Sequence, residues 1–146
     1  MDDHFNNLYQ ADFHRWLLHQ AELLQAHDFE RLDLPNLIEE IETMGKNRQH
    51  ELEHRLTILI MHLLKFQLQP DHIGRSWIST IFEQRERIKE GMKRMPSLRP
   101  KLEHTIQDAY KSARRKAARE TGIPIENFPR TVPFTMRQIL DSNFLP

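Results

Sequence analysis

The chain has 146 residues and a mass of 17.6 kDa, with 38 % hydrophobic and 29 % charged residues, a composition suited to one soluble globular domain spanning residues 1–146. Twenty-one basic residues balance twenty-one acidic ones, so net charge supplies no general attraction to nucleic acid or an anionic membrane. The absence of cysteine excludes disulfides, thiolate metal sites and a cysteine nucleophile, and fits a cytoplasmic setting.

The acidic start Met1-Asp2-Asp3-His4 leads into no apolar run, so no secretory signal is expected. No stretch alternates apolar and polar residues with β-branched enrichment, and the fold class expected is all-α. Asp12 predicts the N-cap of a first helix reaching about His27, with Phe13, Trp16, Leu17, Gln20, Leu23 and Leu24 along one face. A turn follows at Asp28-Phe29. Asp33 predicts the cap of a second helix, and Pro35 is tolerated in the first turn because its missing N–H would have no helical partner there.

This second helix is expected to be long and central, running to Gln69 before Pro70 ends it. Leu37, Ile41, Met44, Arg48, Leu52, Leu59, Leu63 and Phe66 keep one register across Gly45, which reads as a close packing point; a break there is the alternative. Leu56 to Phe66 is apolar almost all round, the mark of a surrounded helix, and is far shorter than the roughly 20 residues a membrane span needs. Ser76 predicts the cap of a third helix carrying Trp77, Ile81, Ile88 and Met92 and ending near Met95-Pro96. Ser97 predicts the cap of a fourth, with Leu102, Ile106, Tyr110, Ala113 and Ala117 inward and Gly122 as a left-handed stop. Residues 123–135 hold three prolines with Phe128 and Phe134, an expected extended strap before a short helix, Met136 to Asp141, capped by Thr135. The architecture is therefore a bundle of four main helices, a proline-rich strap and a short C-terminal helix, with Trp16, Trp77, Phe66 and Tyr9 read as core aromatics.

Several blocks carry a family resemblance. They run Asp12-Phe13…Trp16-Leu17…Gln20-Ala21…Leu23-Leu24, then Leu37-Ile38-Glu39-Glu40-Ile41-Glu42…Gly45, then His62-Leu63-Leu64-Lys65-Phe66-Gln67…Gln69-Pro70. Ser76-Trp77…Thr80-Ile81…Gln84-Arg85, Pro96-Ser97-Leu98, Tyr110…Ala113-Arg114…Ala117 and Phe128-Pro129…Pro133 follow. Together they resemble the bacterial domain of unknown function 29 family, mostly cyanobacterial. The resemblance implies a small helical protein and transfers no activity, cofactor or catalytic residue.

Three constellations could carry chemistry. His50-Glu51-Leu52-Glu53-His54 matches the H-E-x-x-H pattern, which puts two imidazoles on one helix face. The apolar stripe lies opposite them, no strand is expected beside them, and the segment departs from the family pattern. A solvated face is the stronger reading, and a divalent metal at His50 and His54 the lesser; no other cofactor is predicted. Glu39, Glu42, His62, Lys65, Arg75, Gln84 and Arg85 form a candidate polar pocket, either a network fixing helix register or a ligand site. From Arg85 to Arg119 twelve Lys and Arg face four Asp and Glu, whereas residues 1–84 hold seven bases and fourteen acids. Within that region Lys111, Arg114, Arg115, Lys116 and Arg119 form a basic face.

The leading functional reading is a non-enzymatic protein-interaction or adaptor module with an unidentified protein partner, a homodimer being allowed and membrane association not expected. The alternative is a ligand- or metal-binding enzyme, such as a hydrolase, using the Glu/His/Arg cluster. Weak nucleic-acid binding through the fourth helix ranks third.

Overall fold

The structure is a computed structural model that describes residues 8–146; the Met1–His4 start lies outside them. Among the described residues the regular structure is helical, with no strand. The main elements are α1 (Phe13–Gln25), α2 (Leu34–Leu68), α3 (Arg75–Arg94), α4 (Leu102–Thr121) and α5 (Met136–Leu140), joined in part by short 3-10 turns. Residues 8–11 are also helical. The chain packs as two compact units, Met1–Asn47 and Arg48–Pro146, and α2 runs unbroken through the division at Asn47. Among the described residues no helix is long and apolar enough to cross a membrane.

In the first unit, α1 starts where Asp12 accepts a hydrogen bond from the Arg15 N–H at 3.0 Å. It stops at His27, whose φ of 56° is left-handed. The His27 N–H then reaches the Leu24 carbonyl and the Asp28 N–H the Leu23 carbonyl, a paired stop that satisfies the last carbonyls of the helix. Trp16, Gln20 and Leu23 are the buried residues of α1. The Trp16 indole N–H donates to the Asp33 carboxylate at 2.9 Å, and Gln20 Oε1 accepts the Asp33 backbone N–H at 2.8 Å. Asp33 thereby joins the end of the connection to α1, and its carbonyl receives the Leu37 N–H that opens α2.

In the second unit, one core gathers Leu52, Leu56, Leu59, Ile60, Leu63 and Leu64 of α2 with Ile81 and Ile88 of α3, Ile106, Ala109, Ala113 and Ala117 of α4, and Phe128, Phe134 and Ile139 beyond them. Leu56 to Phe66 is the surrounded stretch its composition predicts. The three alanines let α4 approach closely because they add little bulk. Antiparallel pairing of α2 and α3 follows from two contacts: Arg55 with Gln84 at 3.4 Å, and the Lys65 ammonium 4.7 Å over the Trp77 ring. Gly122, at φ 72°, stops α4 in the left-handed region, as predicted.

The strap is irregular, with a 3-10 turn at Ile125–Asn127 and bends at Phe128, Arg130, Thr131 and Phe134 in place of a continuous extended run, and it buries Phe128 and Phe134. Thr135 then forms a reciprocal cap with Gln138: the Gln138 N–H donates to the Thr135 hydroxyl, and the Thr135 N–H to the Gln138 side chain.

Some local expectations are corrected. Gly74, not Ser76, caps α3, because the turn after Pro70 already places Arg75 in the helix. Residues 96–101 wind as 3-10 turns, so α4 begins at Leu102 and Ser97 makes no capping bond. Of the four aromatics read as core, Trp16 is fully buried, whereas Tyr9, Phe66 and Trp77 are only partly covered. Ile41 and Met44 share the predicted α2 stripe yet are exposed, since the core of the second unit begins only at Leu52. Gly45 is not a packing point, as among the described residues a methyl group there would meet no atom within 4 Å beyond its own helix backbone. Gly45→Ala is accordingly expected to raise stability by roughly 0.5–1 kcal/mol, the usual gain on replacing a mid-helix glycine, measurable as a higher denaturation midpoint.

Candidate functional site

Of the seven residues of the predicted polar pocket, His62, Lys65, Gln84 and Arg85 each make a different contact. Glu39 and Glu42 belong to the first unit and are exposed. His62 interrupts the apolar run without a side-chain partner, because its Nδ1 lies 2.8 Å from the Ile58 carbonyl one turn back on its own helix. Burial pushes its pKa down, and nearby Lys65 adds to the effect. Lys65 pairs with Glu120 at 2.9 Å as well as capping the Trp77 ring. Gln84 accepts from Arg55, and Arg75 opens α3 on an exposed turn.

Arg85 is the most constrained of the set. It is 1 % exposed, and its Nε donates to the Ile139 carbonyl at 2.8 Å while an Nη donates to the Gln138 carbonyl at 3.2 Å. Both carbonyls lie at the C-terminal end of α5, where that of Gln138 also accepts the Asp141 N–H at 3.3 Å. Burial lowers the guanidinium pKa, and Asp141 acts in the opposite sense. Arg85 therefore ties the C-terminal helix to α3.

The basic face is smaller than its residue types suggest. Arg114 turns onto the strap, donating to the Ile125 carbonyl at 2.9 Å and to the Phe128 carbonyl at 3.1 Å. The Tyr110 hydroxyl donates to the Pro129 carbonyl beside it. Lys111, Arg115, Lys116 and Arg119 remain exposed.

His50 and His54 point away from the core, as predicted, and line a shallow hollow with Glu53, Thr57, Ser112 and Lys116. The Lys116 ammonium would oppose a cation there. Among the described residues no three His, Asp or Glu side chains are grouped as a metal ion would require.

A feature missed in the sequence lies on the opposite side of these helices. Arg48, Arg55, Arg87 and Arg94 line a cavity of about 310 Å³ over Leu52, Ile88 and Leu98. The signal was available, since Arg48 and Arg55 on α2, and Arg87 and Arg94 on α3, are each seven residues apart and thus share a helix face. Glu51 takes Arg55 at 3.0 Å and Arg48 at 3.2 Å, which holds its own carboxyl below the usual range, and Glu83 takes Arg87 at 3.0 Å. Two carboxylates thus offset half of the charge of the four arginines.

Tyr9 and Glu40 form a further polar pair. The Tyr9 hydroxyl donates to the Glu40 carboxylate, and that bond, followed by burial and the neighbouring acidic charges, pushes the phenol up to about 12. Burial also raises Tyr110, the second of the chain's two tyrosines, against the opposing charge of Arg114. A phenol raised in the folded state contributes stability below its ordinary pKa of about 10 and loses it as pH rises through the folded value. An alkaline absorbance titration should consequently show less tyrosinate near pH 10 than two free phenols would give while the protein is folded. Glu40→Gln should return one tyrosine toward that value; an unchanged profile would count against the pair.

A further exposed feature is apolar. Phe13, Leu17, Leu18 and Leu24 of α1, and Leu34, Ile38, Ile41 and Met44 of α2, are all at least two-fifths exposed, and all belong to the first unit. Sequence periodicity could find these residues but could not tell an inward stripe from an uncovered one.

Fold and surface together define an all-helical protein in which Arg85 and Arg114 serve internal contacts and whose first unit displays apolar side chains. The family model described as "Domain of unknown function DUF29" matches residues 8–145, and the chain belongs to that family. No curated protein and no solved structure matches it.

Proposed function

We propose that the protein is an interaction module that works by presenting the apolar surface of its first unit to another protein. The observation that carries this reading is the exposure of so many large apolar side chains within one unit of 47 residues. Single exposed leucines are ordinary, whereas a concentration of them marks a surface that another molecule covers. The internal engagement of Arg85 and Arg114 supports the same reading, because side chains suited to hold a substrate anion are spent on backbone carbonyls.

The test is capture from extracts of the native cell, comparing wild-type protein with an Ile38→Glu, Ile41→Glu double variant. Both positions are exposed, so the variant should fold, which circular dichroism can verify. Proteins held by the wild type and lost by the variant are the expected result. Identical sets of captured proteins would overturn the proposal.

A further inference from the structure

We infer that the molecule covering the first unit is a second copy of this chain, each copy docking the N-terminal part of α2 on the exposed face of its partner's α3. The inference deepens the interaction reading and rests on it.

Charge is the first argument. Met1–Asn47 carries ten Asp and Glu against three Lys and Arg, whereas Arg48–Pro146 carries eleven against eighteen. The chain's zero net charge is thus the sum of an acidic unit and a basic one. Two copies can bring unlike units together twice around a two-fold axis, an arrangement that closes without leaving a free end.

Matched surfaces are the second. On α2, Leu34, Ile38 and Ile41 follow spacings of four and three, the seam by which one helix packs on another, and are 53 %, 53 % and 67 % exposed. Glu39 and Glu42 lie beside that seam. On α3, Ile78 and Phe82 are one turn apart and 44 % and 59 % exposed. Arg75 and Lys89 lie seven residues to either side of Phe82, hence on the same face, with Lys93 one turn further; Glu86 is the acidic residue among them. An apolar seam edged by carboxylates thereby meets an apolar pair edged by cations. One such contact is small beside the roughly 1,200–2,000 Å² of a standard interface, and reciprocity supplies it twice.

Sedimentation equilibrium of the full chain across a wide concentration range tests this. The expected result is a reversible monomer–dimer equilibrium that weakens about tenfold or more as salt is raised and the Debye length shrinks. Ile38→Glu with Ile41→Glu should abolish the dimer, as should Ile78→Glu with Phe82→Glu. Mixing the two broken variants should give a heterodimer weaker than the wild-type dimer but tighter than either variant alone, because the intact first unit of one finds the intact α3 of the other while the second contact stays broken. A chain that is monomeric throughout, a dimer indifferent to either pair of changes, or a mixture that associates no more tightly than either variant alone would overturn the inference. Open-ended polymers would likewise overturn the reciprocal pairing. If the chain is monomeric yet captures a different protein through Ile38 and Ile41, the interaction reading survives and the self-pairing falls.

Discussion

Arg85→Met is expected to destabilise the second unit by about 3 kcal/mol, as two charge-assisted hydrogen bonds are lost and the buried Ile139 carbonyl gives up its guanidinium partner. Methionine replaces much of the aliphatic stem, so the loss reports on the guanidinium more than on packing. The desolvation cost of burying that guanidinium disappears in the variant and offsets part of the loss. Attached to α3, the side chain reaches Ile139 and Gln138 more than fifty residues along the chain, where the 1 % exposed headgroup leaves no room for water to substitute. Residues 136–146 should become protease-sensitive and exchange their amide protons faster, while α2 and α4 keep their protection. Arg85→Lys should be only a partial rescue, because an ammonium lacks the planar fork that serves both carbonyls. Denaturant unfolding measures the loss, and unchanged stability in Arg85→Met would remove the latch role.

Trp16→Ala should cost the first unit about 3–5 kcal/mol, in the range for emptying a buried tryptophan site. The indole is fully buried, packs edge-on against Tyr9 at 4.8 Å, and donates the 2.9 Å bond to Asp33. Since Trp16, Gln20 and Leu23 are the buried residues of α1, little else holds that helix in place. The helical signal of α1 should therefore be lost. Trp77, the remaining tryptophan, belongs to the second unit, whose core is assembled from its own residues. Its fluorescence should report a cooperative transition close to that of the wild type. Trp16→Phe should lose less, keeping one aromatic ring while giving up the bond to Asp33 and the packing of the second ring of the indole. Parallel loss of both units in Trp16→Ala would contradict this separation.

Both effects concern side chains whose importance was only half visible in the sequence. Trp16 falls on a helical stripe and was readable as core. Arg85 was readable as a noteworthy polar residue, but its acceptors come from α5, and nothing in local spacing announces a contact at that separation. Arg114 is similar: among five basic residues on one helix, only the fold shows that this one faces the strap. His62 was expected to meet a partner, and it found one in the backbone of its own helix. The arginines around the α2–α3 cavity were legible as pairs seven residues apart, yet only the packing of α3 against α2 brings the two pairs to one opening.

The sequence by itself determined the helices, their caps at Asp12 and Thr135, the stop at Gly122, the surrounded stretch from Leu56 to Phe66 and the burial of Phe128 and Phe134. These follow from short-range physics: hydrogen-bond satisfaction at helix ends, the freedom of glycine at positive φ, and the 3.6-residue period of apolar faces. The tertiary structure decided which apolar stripe is covered. Leu52 and Leu56 meet a core, while Ile38 and Ile41, equally apolar and on the same helix, remain exposed. It decided as well which cations are internal ties and which remain on the surface. The reason is the same in each case, because periodicity states which residues share a face, and only the packing of distant elements states what that face meets.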